Sequence, residues 1–233
     1  MDPDDSPSFN QRTIALSQTP SSSIHYFFLQ IIIMYQQHIH LMVSLRSPGL
    51  WLFLGGLEML FLVHLAEFLY PGYSVSQNYI SDLGVGPTSS RWIFTVAIIL
   101  FGLMALATAA LLRQKSKRSL LWPLLALSGI GAIGVGVFNE DFIPAVHALF
   151  AMMAFLFGNL AVVYSCRMVR PPLSFLFVLL GLIGLSALIL VGGSTYLGLG
   201  AGGMERMIFY PAMFWALGFG AYMLAEQNTA SRS

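Results

Sequence analysis

From Leu50 onward the chain alternates long apolar runs with short polar breaks. The runs are Leu50–Leu69, Trp92–Leu112, Leu120–Phe138, Ala145–Cys166, Leu173–Val191 and Met207–Leu224. Each is about 18–22 residues, enough for one helical crossing at 1.5 Å per residue. None shows the period-two alternation of a barrel strand. A helix is then the only form that satisfies every backbone group in hydrocarbon. The pattern predicts an all-α integral membrane protein, a compact bundle of six transmembrane helices. Pro71-Gly72, Gly86-Pro87, a Lys/Arg cluster, Asn139-Glu140-Asp141 and Pro171-Pro172 punctuate it, and a glycine-rich stretch precedes the last run.

The ends read differently. Residues 1–23 are polar and rich in Ser, Pro and Asp, the composition of a disordered segment. The apolar run Ile24–Tyr35 is too short to span a bilayer. The expected division is an extension over 1–45, disordered or interfacial and outside the fold, a six-helix domain over 46–225, and a tail over 226–233. Met34 or Met42 would be the natural start under that division.

Composition narrows the class. The chain is 57% hydrophobic and 9% charged, against roughly 25% charged in soluble domains, with a mean hydropathy of +0.75. This excludes a soluble enzyme, a disordered protein and a disulfide scaffold. A net charge of +1 gives no basic field for nucleic acid, and one cysteine, Cys166, makes neither an internal disulfide nor a thiolate metal site. The scarce charge is sorted. Arg46, Arg113, Lys115, Lys117, Arg118, Arg167, Arg170 and Arg232 fall on one set of ends and loops, while the other holds Arg91 and Arg206. The positive-inside rule makes this a multi-pass protein of the cell membrane with both termini cytoplasmic. Loops 70–91, 139–144 and 192–206 then face outward.

Ionisable groups in a membrane helix are costly and therefore informative. The first run carries Glu58, His64 and Glu67. His64 and Glu67 share a face near the outer surface, and Glu58 lies deeper on another face. His147 opens the fourth run at roughly the depth of His64, behind Asn139, Glu140, Asp141 and Pro144. Pro144 suits a first helical turn, with Asp141 as its cap. The first outer loop is long, and its hydrogen-bonding members are Ser76, Asn78, Ser81 and Asp82. His64, His147 and Asp82 form a candidate set for a divalent metal. Glu140, Ser81 and Asp82 are candidates for acid–base or nucleophilic work. Glu58, Glu67, Asn78, Asn139, Asp141, Glu205 and Arg206 are candidates for ligand contact, with Arg206 placed to meet an anionic head group. For each, the plain alternative is a satisfied contact inside the bundle, or loop capping by Asx and Ser turns.

Gly198 to Gly203 spells G-x-G-x-x-G, but that motif needs a strand before it and a βαβ unit. Between membrane helices the glycines fit tight turns, or backbone dipping into the bundle. Ala212/Ala216/Gly220, Ala132/Gly136 and Gly181/Gly184 form small-residue stripes. They fit close packing within the bundle, or homo-oligomers through those faces.

Three strings carry a family resemblance: Tyr-Pro-Gly-Tyr-Ser-Val-Ser-x-Asn-Tyr-Ile-Ser-Asp-Leu-Gly (70–84), Phe-Asn-Glu-Asp with His-Ala-Leu-Phe-Ala (138–151), and Gly-Gly-Met-Glu-Arg-Met-Ile-x-Tyr-Pro (202–211). Over about residues 48–225 the chain resembles the domain-of-unknown-function family 998 of archaeal and bacterial multi-pass membrane proteins. The resemblance implies a six-helix membrane domain and no particular activity. All three strings fall at the expected outer face.

Three functions fit these residues. One is a hydrolase at the membrane surface, metal-dependent or not, acting on a lipid or lipid-linked substrate. A second is a transporter or binding protein for a lipid or small molecule, using Glu58. The third is a non-catalytic scaffold in the lipid bilayer. A haem between His64 and His147 is a minor fourth reading.

Overall fold

The computed structural model describes residues 45–230, together with residues 26, 29–32 and 34. It separates into two units, Met1–Met42 and Val43–Ser233. In the first, the described residues are helical and exposed. The expectation for residues 1–23 lies outside the described residues.

The second unit is six helices: α1 (Pro48–Leu69), α2 (Ser89–Lys115), α3 (Leu121–Val137), α4 (Pro144–Tyr164), α5 (Leu173–Gly192) and α6 (Gly200–Ala230). A 3₁₀ turn, Ser81–Gly84, lies in the α1–α2 loop, and no strand occurs among the described residues. Five helices are long and apolar enough to cross a membrane, and the shorter apolar α3 joins them. At 17 residues α3 is about 25 Å long. Proline supplies the first turn of α1 and α4, where its missing N–H costs nothing. Arg113 and Lys115 close α2, facing the negative end of its dipole.

Each helix packs on its sequence neighbours, and α6 returns to pack on α1. Sequence neighbours packed side by side along an up-and-down bundle run antiparallel. The loops after α1, α3 and α5 therefore meet at one end, here the polar end, and the Lys/Arg-rich loops at the other. Helix α6 also touches α4, and α5 packs against both, adding Phe177 to the core. Val63, Leu83, Leu121, Ala132, Val162 and Phe219 are fully buried there.

The small-residue stripes are used inside the bundle. A Cβ on Gly220 would stand 2.7 Å from Phe53 N, and one on Gly56 3.1 Å from the Ala216 methyl, so this stripe seats α6 on α1. Gly136 meets Ile98 and Ile99 of α2. Gly181 and Gly184 meet Val163 and Asn159 of α4. Each stripe is occupied by a helix of the same chain.

The last helix departs from expectation. It begins at Gly200, seven residues before the expected run, and continues to Ala230. The glycine-rich stretch read as loop is its first turn, because another backbone caps it: Gly202 N and Gly203 N donate to Ser76 O at 2.9 and 3.2 Å. Asp141 does not cap α4, whose capping residue is Ile143 with no side-chain bond.

Candidate functional site

The polar end is built from two loops clamped onto α6. Gly200 takes a positive φ of 78°, and a Cβ there would stand 2.1 Å from Ser76 O. A Cβ on Gly202 would stand 1.9 Å from Asn78 O. Only hydrogen at both positions lets the 70–88 backbone lie on the start of α6. One turn on, Arg206 is 4% exposed and spends its guanidinium on this loop. Nη1 donates to Val75 O (2.8 Å), Asn78 O (3.3 Å) and Gly202 O (2.9 Å). Nη2 donates to Tyr73 Oη (2.8 Å) and pairs with the Glu67 carboxylate of α1. The guanidinium also lies over the Tyr73 ring, 5.6 Å from its centroid. Both Nη groups are thus committed to internal acceptors, and the guanidinium is not presented to the expected anionic head group.

Within the loop, the Asp82 carboxylate accepts from Tyr79 N (2.9 Å) and Asn78 Nδ2 (3.1 Å), while Asn78 Oδ1 accepts from Ser74 N (3.0 Å). Tyr73 Oη donates to Tyr79 O at 2.8 Å. Burial pushes the Tyr73 phenol up to about 12, more than Arg206 beside it pulls it down. Tyr79 is also raised to about 12, chiefly by its 3.2 Å hydrogen bond with Tyr196 Oη, which ties this loop to the α5–α6 loop. The α3–α4 loop joins through Asn139, whose amide donates to Gly84 O, and through Asp141, which accepts from Gly86 N at 3.1 Å and faces Arg91 at 3.8 Å.

Half of the expected site residues are therefore builders of this roof: Glu67, Asn78, Asp82, Asn139, Asp141 and Arg206. The expected metal set is not assembled. His64 is exposed on α1, donates Nδ1–H to Leu60 O at 2.7 Å and stacks on Tyr210 of α6 at 6.1 Å. Asp82 turns into its own loop, and His147 is buried on α4. Among the described residues, no three His, Cys, Asp or Glu side chains gather in a way that could hold a metal ion. Equal depth in the sequence put His64 and His147 together, but they sit on different sides of the bundle. Glu58 stands apart on α1, both carboxylate oxygens buried without a partner among the described residues.

The remaining groups converge under the roof. Tyr79, Ser81, Glu140, His147 and Glu205 line a cavity of about 230 Å³ with Ala148, Met152 and Phe155 of α4, Leu188, Val191 and Gly192 of α5, and Ile208 of α6. Ala148, Met152 and Gly192 are exposed, so the cavity opens between α4 and α5. Glu205 is 7% exposed, and its Oε2 accepts from Ile80 N. His147 is 6% exposed, and its Nδ1–H donates to Phe138 O at 3.0 Å. That bond leaves Nε2 of the neutral ring as a lone pair. His147 Nε2 and Glu140 Oε2 are both buried with no hydrogen-bond partner among the described residues. No Lys or Arg among the described residues lines the cavity. Tyr79, Tyr196 and Phe155 were missed by sequence reasoning, because an aromatic in an apolar chain carries no signal of its own.

Fold and site together define a helical integral membrane protein with a carboxylate- and imidazole-lined pocket beneath clamped loops at one end. The family model described as "Protein of unknown function (DUF998)" matches residues 53–222, most of the chain, and the protein belongs to that family. No curated protein and no solved structure matches it.

Proposed function

We propose that the protein binds an amphiphile at the membrane interface, with its polar head among Tyr79, Ser81, Glu140, His147 and Glu205. The observation that carries this reading is the pair of unpartnered atoms, His147 Nε2 and Glu140 Oε2, buried in the wall of one cavity. Leaving a buried polar atom unpaired costs about 1–3 kcal/mol. Two such atoms in a lined pocket are the mark of a place where a ligand supplies the missing bonds. The head that fits is a donor, a hydroxyl or an ammonium, because the wall holds two carboxylates and no cation among the described residues. The opening between α4 and α5 suits lateral access from the bilayer, and the charge asymmetry supports an outer-leaflet pocket.

Hydrolysis of that amphiphile is the second reading, favoured by the orientation of His147. With Nδ1–H held by Phe138 O, Nε2 would accept the proton of a water attacking an ester carbonyl, with Glu140 beside it. Ser81 Oγ, in the same wall, is the alternative nucleophile.

The test is native mass spectrometry of the whole protein in detergent, with a monoacylglycerol and the lysophosphatidate of equal chain length. The expected result is one saturable monoacylglycerol per chain, preferred over the anionic lipid and weakened at least tenfold by His147→Phe. Equal binding of both lipids, unchanged by His147→Phe and by Glu140→Leu, overturns the reading. Loss of the ester on prolonged incubation, abolished by His147→Gln, would select hydrolysis over binding alone.

A further inference from the structure

Two more cavities lie beneath the polar pocket. One, of about 40 Å³, shares Ser81, Ala151, Phe155 and Glu205 with it. The next, of about 70 Å³, lies at the centre of the helix ring and shares Met59, Ile98, Ala154, Phe155 and Phe209 with the second. Phe155 borders all three. The series follows α6 from Glu205 to Ala216, about 16 Å at the helical rise. Its deep walls are apolar, ending at Leu52, Leu125 and Trp215, with Ser128 and Asn159 as the polar members. Ser128 Oγ is already spent on Ala154 O at 2.9 Å.

The space follows from residue size. Ala105, Ala132, Ala154, Gly158 and Ala212 face the centre where larger side chains would close it. Unfilled volume in a close-packed interior costs stability, and a dry apolar cavity takes up apolar guests in preference to water. Ala105 and Ala154 also pack on Gly129 and Gly131 of α3, and all five residues border the central cavity.

We propose that the hydrocarbon chain of the bound amphiphile lies inside the bundle, threaded from the polar pocket past Phe155 into the central cavity, and not along the lipid-facing surface. This rests on the head-group reading above. The occupant is a single unbranched chain, since the deep cavity holds only a short run of methylene groups beside the head-bearing space. Phe155 acts as the gate between the polar and apolar parts, and Leu52, Leu125 and Trp215 form the floor that limits chain length.

The experiment uses a monoacylglycerol with a diazirine at the chain terminus, added to the whole protein in lipid nanodiscs and photolysed. Peptide mapping should find the label on the floor and its surroundings, at Leu125, Ala212 or Trp215. Ala154→Leu, which fills the inner space, should cut interior labelling at least tenfold while a short-chain monoacylglycerol still binds. Ala212→Leu is the second plug, so that a folding defect in one variant does not decide the result. Label confined to the lipid-facing residues Leu149, Leu182 and Phe214, unaffected by either plug, overturns the internal path and leaves the head site standing. Absence of saturable labelling and of short-chain binding removes the head site itself, and this inference with it.

Discussion

Replacing Arg206 with Met is the sharpest test of how the polar end is held. The guanidinium is 4% exposed and its partner Glu67 12% exposed, so this is a buried pair. Removing one member of such a pair typically costs about 3–5 kcal/mol, because the other charge stays buried and alone. Here three carbonyls, Val75 O, Asn78 O and Gly202 O, lose their donor as well. The loss should fall on the docking of loop 70–88 and not on the whole bundle, since the helix core lies below it. Native-state hydrogen exchange reads it directly. Amides held by the docked loop, Gly202 N and Gly203 N on Ser76 O among them, should exchange about 10²- to 4 × 10³-fold faster in Arg206→Met. Amides in the middle of α2 and α3 should barely change. The double variant Arg206→Met/Glu67→Leu removes the stranded carboxylate, so it should recover part of the protection. A clamp centred on Arg206 is refuted if Arg206→Met exchanges within threefold of the wild type, or if the double variant is as damaged as the sum of the two singles.

Other outcomes follow from the same contacts. Gly184→Ala puts a Cβ 1.9 Å from Asn159 Oδ1 and should cost about 1–3 kcal/mol by overpacking, read as a lower thermal midpoint. Gly218→Ala, with nothing within 4 Å of its Cβ, should instead stabilise by about 0.5–1 kcal/mol, as alanine does over glycine within a helix. Tyr73 and Tyr79 keep their protons to about pH 12 in the folded protein, while unfolded phenols ionise near 10. Stability contributed by these protons is therefore complete below about pH 10 and declines as pH rises from 10 to 12. Alkaline titration of tyrosinate absorbance checks this, and Tyr196→Phe should make Tyr79 ionise earlier.

Helix positions were legible because each is a long apolar run, and length alone decides a crossing. The family was legible from the loop strings at the polar end. What failed was azimuth. The depths of His64 and His147 can be read along the chain, but which side of the bundle each faces is set by packing, and α1 turns His64 outward onto Tyr210. Arg206 was read as a ligand for anions because an isolated cation near an interface suggests one. Its Nη donors instead find Glu67, Tyr73 and nearby carbonyls, and the partners outside α6 stand some 125–140 positions away in the chain. One signal was available: the glycines here fitted either tight turns or backbone approaching backbone, and Gly200 and Gly202 take the second role against Ser76 and Asn78.

Most polar groups at this end can be followed to the atom that satisfies them. Glu67 goes to Arg206, Asp141 to Arg91 and Gly86 N, Asp82 to Tyr79 N and Asn78, and Glu205 to Ile80 N. Asn139 is spent on Gly84 O, and His147 spends one nitrogen on Phe138 O. These are structural uses, and each helps hold three loops over one opening. After them, Arg206 Nε, His147 Nε2 and Glu140 Oε2 remain, and the last two are on residues that line the same cavity. A clamp that served only stability would gain from apolar residues at 140 and 147, because a half-satisfied polar group is worse than none. Replacing Glu140 by Leu, which breaks no hydrogen bond among the described residues, should therefore raise the thermal midpoint, as removal of an unpaired buried polar atom does. If Glu140 served only to hold the loops together, the same replacement would lower it.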